Sequence, residues 1–370
     1  MVNHNRNLGA LLQLLEKEEV QKLDPLHFDA KLPTLHLLNS KGDVKEICQL
    51  LYSTLPTPDV LEEFSYEEAV ATMRDLGIFL GILKRNGIEP VEVMPELEYV
   101  LLVLMVKTDL PPRDTLTHYT LWNPSGERMR TYTGTNDEKH LIESVKIAFP
   151  DLIESILMLD SIYSKRLEGA EFESACLKAK EKIESMVMGI VHAKRNVSPA
   201  FFANELRFYY DPIKVDYRKE YIGPGAVELP MFLFDHILWN CDVEDEDYIK
   251  FKEGYLPFNL KFVRDIYWRY KGKPSLVSLV KNNLDINPSR DAIRSAEVVL
   301  EFFNILKSFR MPHKKLAEQV YAHSEEHNRA TGSGGYTVDI LQHILLLQNQ
   351  KTSSLQEALQ NAKMGVYVKK

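Results

Sequence analysis

The sequence predicts an all-α protein. Apolar residues recur at helical spacing in five long segments, and only one stretch of the 370 residues reads as strand-rich. The composition, 45% hydrophobic and 26% charged, is that of a globular chain able to bury a sizeable core.

The elements follow in order. Residues 8–22 carry Leu8, Leu11, Leu12, Leu14 and Leu15 among charges. Residues 67–85 place Ala69, Val70, Met73, Leu76, Ile78, Phe79, Ile82 and Leu83 mostly on one stripe, and Gly87 and Pro90 supply stops. Segments 139–164, 172–193 and 292–327 are the remaining long candidates, with a further stop at Gly272. The exception is 115–133. Its first half, Thr115 to Trp122, is rich in β-formers. Asn123-Pro124-Ser125-Gly126 is a turn signal, and Arg128–Thr133 suits a return strand. A hairpin is the simple reading. A helix started by Pro111-Pro112 is the competing one, and periodicity does not separate them. The break at 106–113 suggests a small N-terminal helical domain, 1–107, and a large helical domain, 108–370.

Lys and Arg total 45 against 53 Asp and Glu, a net charge of −8, which argues against a broad nucleic-acid surface. Cys48, Cys176 and Cys241 lie far apart and form no CxxC pair, as expected in a reducing compartment. The longest apolar run, Tyr99–Val106, is far short of the roughly 20 residues of a membrane span. With no signal-peptide core at the start, the expectation is a cytoplasmic protein with no membrane partner.

Several segments could carry chemistry. Phe302, Leu306, Phe309, His313, Leu316 and Val320 recur at spacings of three and four, which puts His313 inside the apolar stripe of one helix. Pro312 before it predicts a kink. Two readings of His313 stay open here: a core histidine bonded to a backbone carbonyl, or a metal ligand in an apolar pocket, for which a haem iron is well suited. His323 and His327 are four apart, but the order of residues between them is not that of a zincin, and a solvated helix end accounts for them. The run Gly332-Ser333-Gly334-Gly335 would let a ligand approach the backbone closely, or is a plain loop. Gly223-Pro224-Gly225 forms a second glycine loop, opening the apolar run Met231–Trp239. Ser198-Pro199 reads as a helix start. Arg207, among Phe201, Phe202, Leu206 and Phe208, needs an anionic partner, either a substrate carboxylate or a structural Asp.

Taken in order, these pieces resemble the haem superfamily of indoleamine and tryptophan 2,3-dioxygenases. The matching order is Leu110-Pro111-Pro112, His140 to Ser144, Pro199 to Arg207, the loop 222–226 with Phe234-Asp235, the helix of His313, and Gly332 to Gly335. The sequence is similar above all to the monodechloroaminopyrrolnitrin synthase branch, through Met73 to Gly81, Leu110 to Leu116, Leu121 to Pro124, Tyr221 to Glu228 and Pro312 to Glu318.

The resemblance implies haem as cofactor, with His313 as proximal iron ligand and Arg310 and Gly225 beside the haem. It implies O₂ on the other face, with an electron donor. By the same resemblance Arg207 grips a substrate carboxylate, Phe202 lines the substrate pocket, and Tyr321 and Ser333 lie at the substrate as candidate catalytic residues. Tyr321 is eight residues, about two turns, beyond His313, so both can face one cavity. His118, Trp122, His140 and Ser144 match stretches lining the distal pocket. Ala203 stands where the dioxygenases have a second pocket phenylalanine, and Gly-Pro-Gly replaces their Gly-Ser-Ala-Gly. The implied activity is therefore rearrangement of L-tryptophan or 7-chlorotryptophan with loss of the carboxylate, giving an aminophenylpyrrole. The alternatives are ring cleavage to N-formylkynurenine and, from other classes, a non-catalytic haem sensor or an apo helical scaffold. A product carrying two added oxygens marks the first, and a haem band blind to indoles the second. Protein colourless even after haem is supplied marks the third.

Overall fold

A computed structural model describes residues 17–324 and 339–368, and it is helical almost throughout. Among the described residues the first seven helices are α1 (Lys17–Lys22), α2 (Leu32–Lys41), α3 (Val44–Tyr52), α4 (Pro58–Glu63), α5 (Tyr66–Arg85), α6 (Pro90–Val93) and α7 (Pro95–Thr108). The Oγ of Ser65 accepts from the Glu68 N–H at 3.2 Å, and a Glu68 carboxylate oxygen accepts from the Ser65 N–H at 2.9 Å. This capping box satisfies two end donors of α5. The helix is buried on every side from Ala69 to Leu83. Val70 and Ala71 enter one hydrophobic core, and Met73, Leu76 and Phe79 enter the other.

The hairpin does not form. Residues 115–133 contain a single helical turn, α8 (Leu116–Tyr119), and a short 3₁₀ turn, Gly126–Arg128. Side chains satisfy the backbone groups that a ladder would have paired. Thr115 N–H donates to His118 Nδ1 at 3.0 Å. The Asn123 amide donates to the carbonyls of Tyr119 and Arg130 and accepts from the Arg130 N–H. The buried Arg130 guanidinium is drawn beneath the loop by Asp75 and Asp29. Gly77 makes room, since a Cβ there would lie 2.3 Å from Asp114 Cγ.

The next helices are α9 (Asn136–Tyr163), α10 (Ala170–Ile183), α11 (Ser185–Asn196) and α12 (Pro199–Asn204). A 3₁₀ turn, Leu206–Tyr210, leads to the antiparallel pair β1 (Ile213–Val215) and β2 (Lys219–Tyr221). Then come α13 (Met231–Asp235), a π turn at His236–Asn240, α14 (Glu246–Tyr255), α15 (Lys261–Tyr270) and α16 (Leu276–Ile286). The chain closes with α17 (Arg290–Ser324) and α18 (Asp339–Val368). The segment expected as one helix over 172–193 is two, breaking at Glu184, and both pack on α9. Gly189 allows a close approach: a Cβ there would sit 2.6 Å from the Ser144 carbonyl oxygen. Helix α17 runs on through Pro312. The larger core gathers α9, α10, α13, α15, α16 and the first half of α17. The smaller one surrounds α5 and α7 and includes Tyr132 stacked on Tyr209, with ring centroids 4.7 Å apart.

Candidate functional site

Helix α17 changes role along its length. Phe302 and Leu306 belong to the core, whereas one turn further Phe309, His313, Ala317 and Tyr321 line a cavity of about 360 Å³. One wall of the cavity is the α9–α11 pair, through Ile142, Val145, Gly189 and Ile190. Phe202, Arg207 and Tyr210 form a second wall, and Ala226, Val227 and Phe232 a third. Ile340 and Ile344 of α18 also line it. The size falls within the roughly 300–1,000 Å³ of small-molecule sites, and most of the lining is apolar with a few polar groups.

His313 faces this space. Its ring stacks on Phe309 at 5.5 Å with 17° between the planes. It makes no hydrogen bond with any described residue, so the carbonyl-bound core histidine is not found among them. Enclosure by protein, helped by the Arg310 charge, pushes its pKa down to about 4. At neutral pH the imidazole is uncharged and keeps a lone pair for a ligand.

Arg310, one turn earlier, is buried and held by Asp235 and Gln348. Asp235 also accepts from Trp239 Nε1 at 2.9 Å and from the Tyr248 hydroxyl at 2.8 Å. Burial and that carboxylate push the Tyr248 pKa well above its ordinary value, so the phenol stays a donor. The charge of Arg310 is thus answered within the protein.

Arg207 is buried, with Cζ 5.8 Å from the centre of the Tyr321 ring. Phe202 lines the cavity beside Tyr210. Ser144 also lines it, its hydroxyl donating to the Leu141 carbonyl at 2.7 Å. The cavity therefore brings together His313, Arg310, Arg207, Phe202, Ser144 and Tyr321.

The other expected residues lie elsewhere. Gly225 is set back in its loop, while its neighbours Pro224 and Ala226 reach the cavity. Trp122 is fully buried in the larger core, edge-on to His118 at 4.9 Å. His118 does not line the cavity, and burial, then the Arg74 charge, pushes its pKa down to about 3. His140 is half-exposed beside Glu143 and His192, outside the cavity. Ser333 with its glycine run, and His327, fall outside the described residues; His323 is exposed.

Asp235 with Tyr248, and the aliphatic α9–α11 wall, were not singled out from the sequence as site residues. An acid inside the apolar run 231–239 is the signal that could have found Asp235. The wall had no local signal, because it forms only when two distant helices meet.

The donor set fits the implied group. A porphyrin presents flat apolar faces and an iron that takes imidazole nitrogen, and the cavity offers an apolar lining with one neutral imidazole lacking a partner among the described residues. A family model described as monodechloroaminopyrrolnitrin synthase PrnB matches residues 17–366. The chain belongs to that family. Membership makes it an enzyme of a synthase family, tied to pyrrolnitrin biosynthesis and to a small-molecule substrate. Among the described residues no helix is long and apolar enough to cross a membrane.

Proposed function

We propose that this member of the family is a haem-dependent synthase that takes L-tryptophan or 7-chlorotryptophan, rearranges its indole ring and releases the carboxylate, leaving an aminophenylpyrrole. The observation that carries the reading is the neutral imidazole of His313 turned into an apolar cavity. His313 would hold the iron of protoporphyrin IX, and the bound group would supply the activation of O₂, with electrons from an external donor. The chain's own residues do the rest. The aliphatic wall of α9 and α11, with Phe202, accepts a flat indole and excludes water. Arg207 brings positive charge towards the amino-acid end, where a carboxylate binds, and the Tyr321 hydroxyl offers a hydrogen bond to the same end. Asp235 keeps Arg310 fixed one turn before the imidazole, and the Phe309 ring packs against that imidazole on the same helix.

The experiment is the visible spectrum of the purified protein supplied with haem, with and without tryptophan, followed by product mass after turnover with O₂ and reductant. A Soret band that shifts with tryptophan, and a product lacking the carboxylate, are expected. In His313→Ala haem content should collapse, because its protein ligand to the iron is gone. Normal haem content in that variant would overturn the assignment, and a product of tryptophan plus two oxygens would replace rearrangement by dioxygenation. Tyr321→Phe should retain the haem band and lose turnover by about tenfold or more, the scale of one well-placed hydrogen bond to a charged group. Unchanged kinetics would remove Tyr321 from the substrate site.

A further inference from the structure

On the outer side of the cavity wall, α9 and α11 bring three metal-ligating side chains together. His140 and Glu143 are three residues apart on one face of α9, and His192 reaches them from α11. His140 Nδ1 lies 3.1 Å from a Glu143 carboxylate oxygen, and His192 Nε2 lies 3.6 Å from the same oxygen. All three ligand atoms fall within 4.8 Å of one another. The two imidazole rings stand 5.3 Å apart. His192 Nε2 is shielded from solvent and has no hydrogen-bond partner among the described residues. A nitrogen buried without a partner is costly and calls for an explanation.

Tetrahedral zinc with bonds of about 2.0–2.1 Å sets its ligand atoms roughly 3.3 Å apart. The two separations to Glu143 bracket that value and the two histidine nitrogens lie no more than 4.8 Å apart, so side-chain rotations that bring the imidazoles together would close the site. Two imidazoles and one carboxylate are borderline ligands that suit zinc and its divalent neighbours, and three protein ligands leave the fourth position for water.

We propose that His140, Glu143 and His192 bind one divalent transition-metal ion of the zinc class, tying α9 to α11. The consequence reaches the cavity. Leu141 and Ser144 flank the first two ligands on α9, Ile190 and Ala193 flank the third on α11, and all four line the cavity. An ion here fixes the spacing of the wall without entering the site. The inference does not depend on haem, because none of the three ligands lines the cavity.

The test uses the full chain, free of any affinity tag and stripped with chelator, titrated calorimetrically with Zn²⁺ alone. One ion per chain is expected, with a rise in the melting temperature on zinc addition. His192→Ala and Glu143→Gln should each weaken binding by about tenfold or more and remove the thermal shift. The side chains of His140 and Glu143 are 38% and 44% exposed, so Glu143→Gln and His140→Ala are expected to fold even if His192→Ala does not. His313→Ala should bind zinc as the unaltered chain does. Absence of stoichiometric zinc, or an affinity unchanged in all three variants, would overturn the proposal. Loss of zinc in His313→Ala alone would do the same, by moving the ion to the cavity.

Discussion

Asp235 takes three charged or polar donors, Arg310, Trp239 and Tyr248, in a place closed to water. Carboxylate and guanidinium each lose hydration there, and each is tolerable only because the other is present. Removing one partner strands the other. Asp235→Ala should therefore lower stability by roughly 3–5 kcal/mol, the usual cost of breaking a buried pair. Urea denaturation reads this directly. The paired change of Asp235 and Arg310 to apolar residues should recover much of the loss, and failure to recover would show that the carboxylate acts mainly through Tyr248 and Trp239. The same residues show what sequence reading can reach at this scale. The apolar stripe put His313 on the apolar face of its helix and left core and pocket both open, and in the structure it lines the cavity. That Arg310 is answered by Asp235, 75 residues away in sequence, has no local trace.

At the scale of elements, the α9–α11 pair decides the width of the cavity. Gly189 lets the two backbones approach closely, and its neighbour Met188 is exposed. Gly189→Val should push the helices apart and cost about 1–3 kcal/mol, as overpacking does. Met188→Ala should stay within about 0.5 kcal/mol of the unaltered chain, as surface changes do. Equal effects of the two would mean that the helix contact is not tight. Two features were legible: the start at Ser198-Pro199 and the helical period through 67–85 both appear where the sequence puts them, whereas the Ser65–Glu68 box was found only in the structure. The failure at 115–133 has a physical cause. β-branched residues there signal a strand only if a neighbouring strand takes their backbone groups, and here Asn123 and His118 take several of them instead. The break at Glu184 was equally hidden, because both halves keep apolar residues on the side facing α9.

For the whole molecule, three neutral histidines, His118 and His236 buried and His313 partly buried, shape the response to acid. Burial depresses the pKa of His313 to about 4 and those of His118 and His236 to about 3, against an ordinary value of 6.5. For His236 the nearby Lys252 charge adds to burial. Between pH 6.5 and these values the unfolded chain takes up protons at the three sites and the folded chain does not. Stability contributed by their neutral burial is then full above about pH 6.5 and drains as pH falls towards 3–4. Asp114 works the other way. Burial raises its pKa to about 6 from 3.8, so the folded state binds a proton earlier and gains relative stability as pH drops through that interval. Glu228, which burial raises well above its ordinary value, acts in the same direction as Asp114. Three sites against two leave a net loss, and each pKa unit corresponds to about 1.4 kcal/mol. The urea midpoint of haem-free protein should fall steadily from pH 7 to pH 4. A profile flat over that range would mean that these imidazoles charge without cost in the folded protein, and the neutral, metal-ready state assigned to His313 would lose its physical basis.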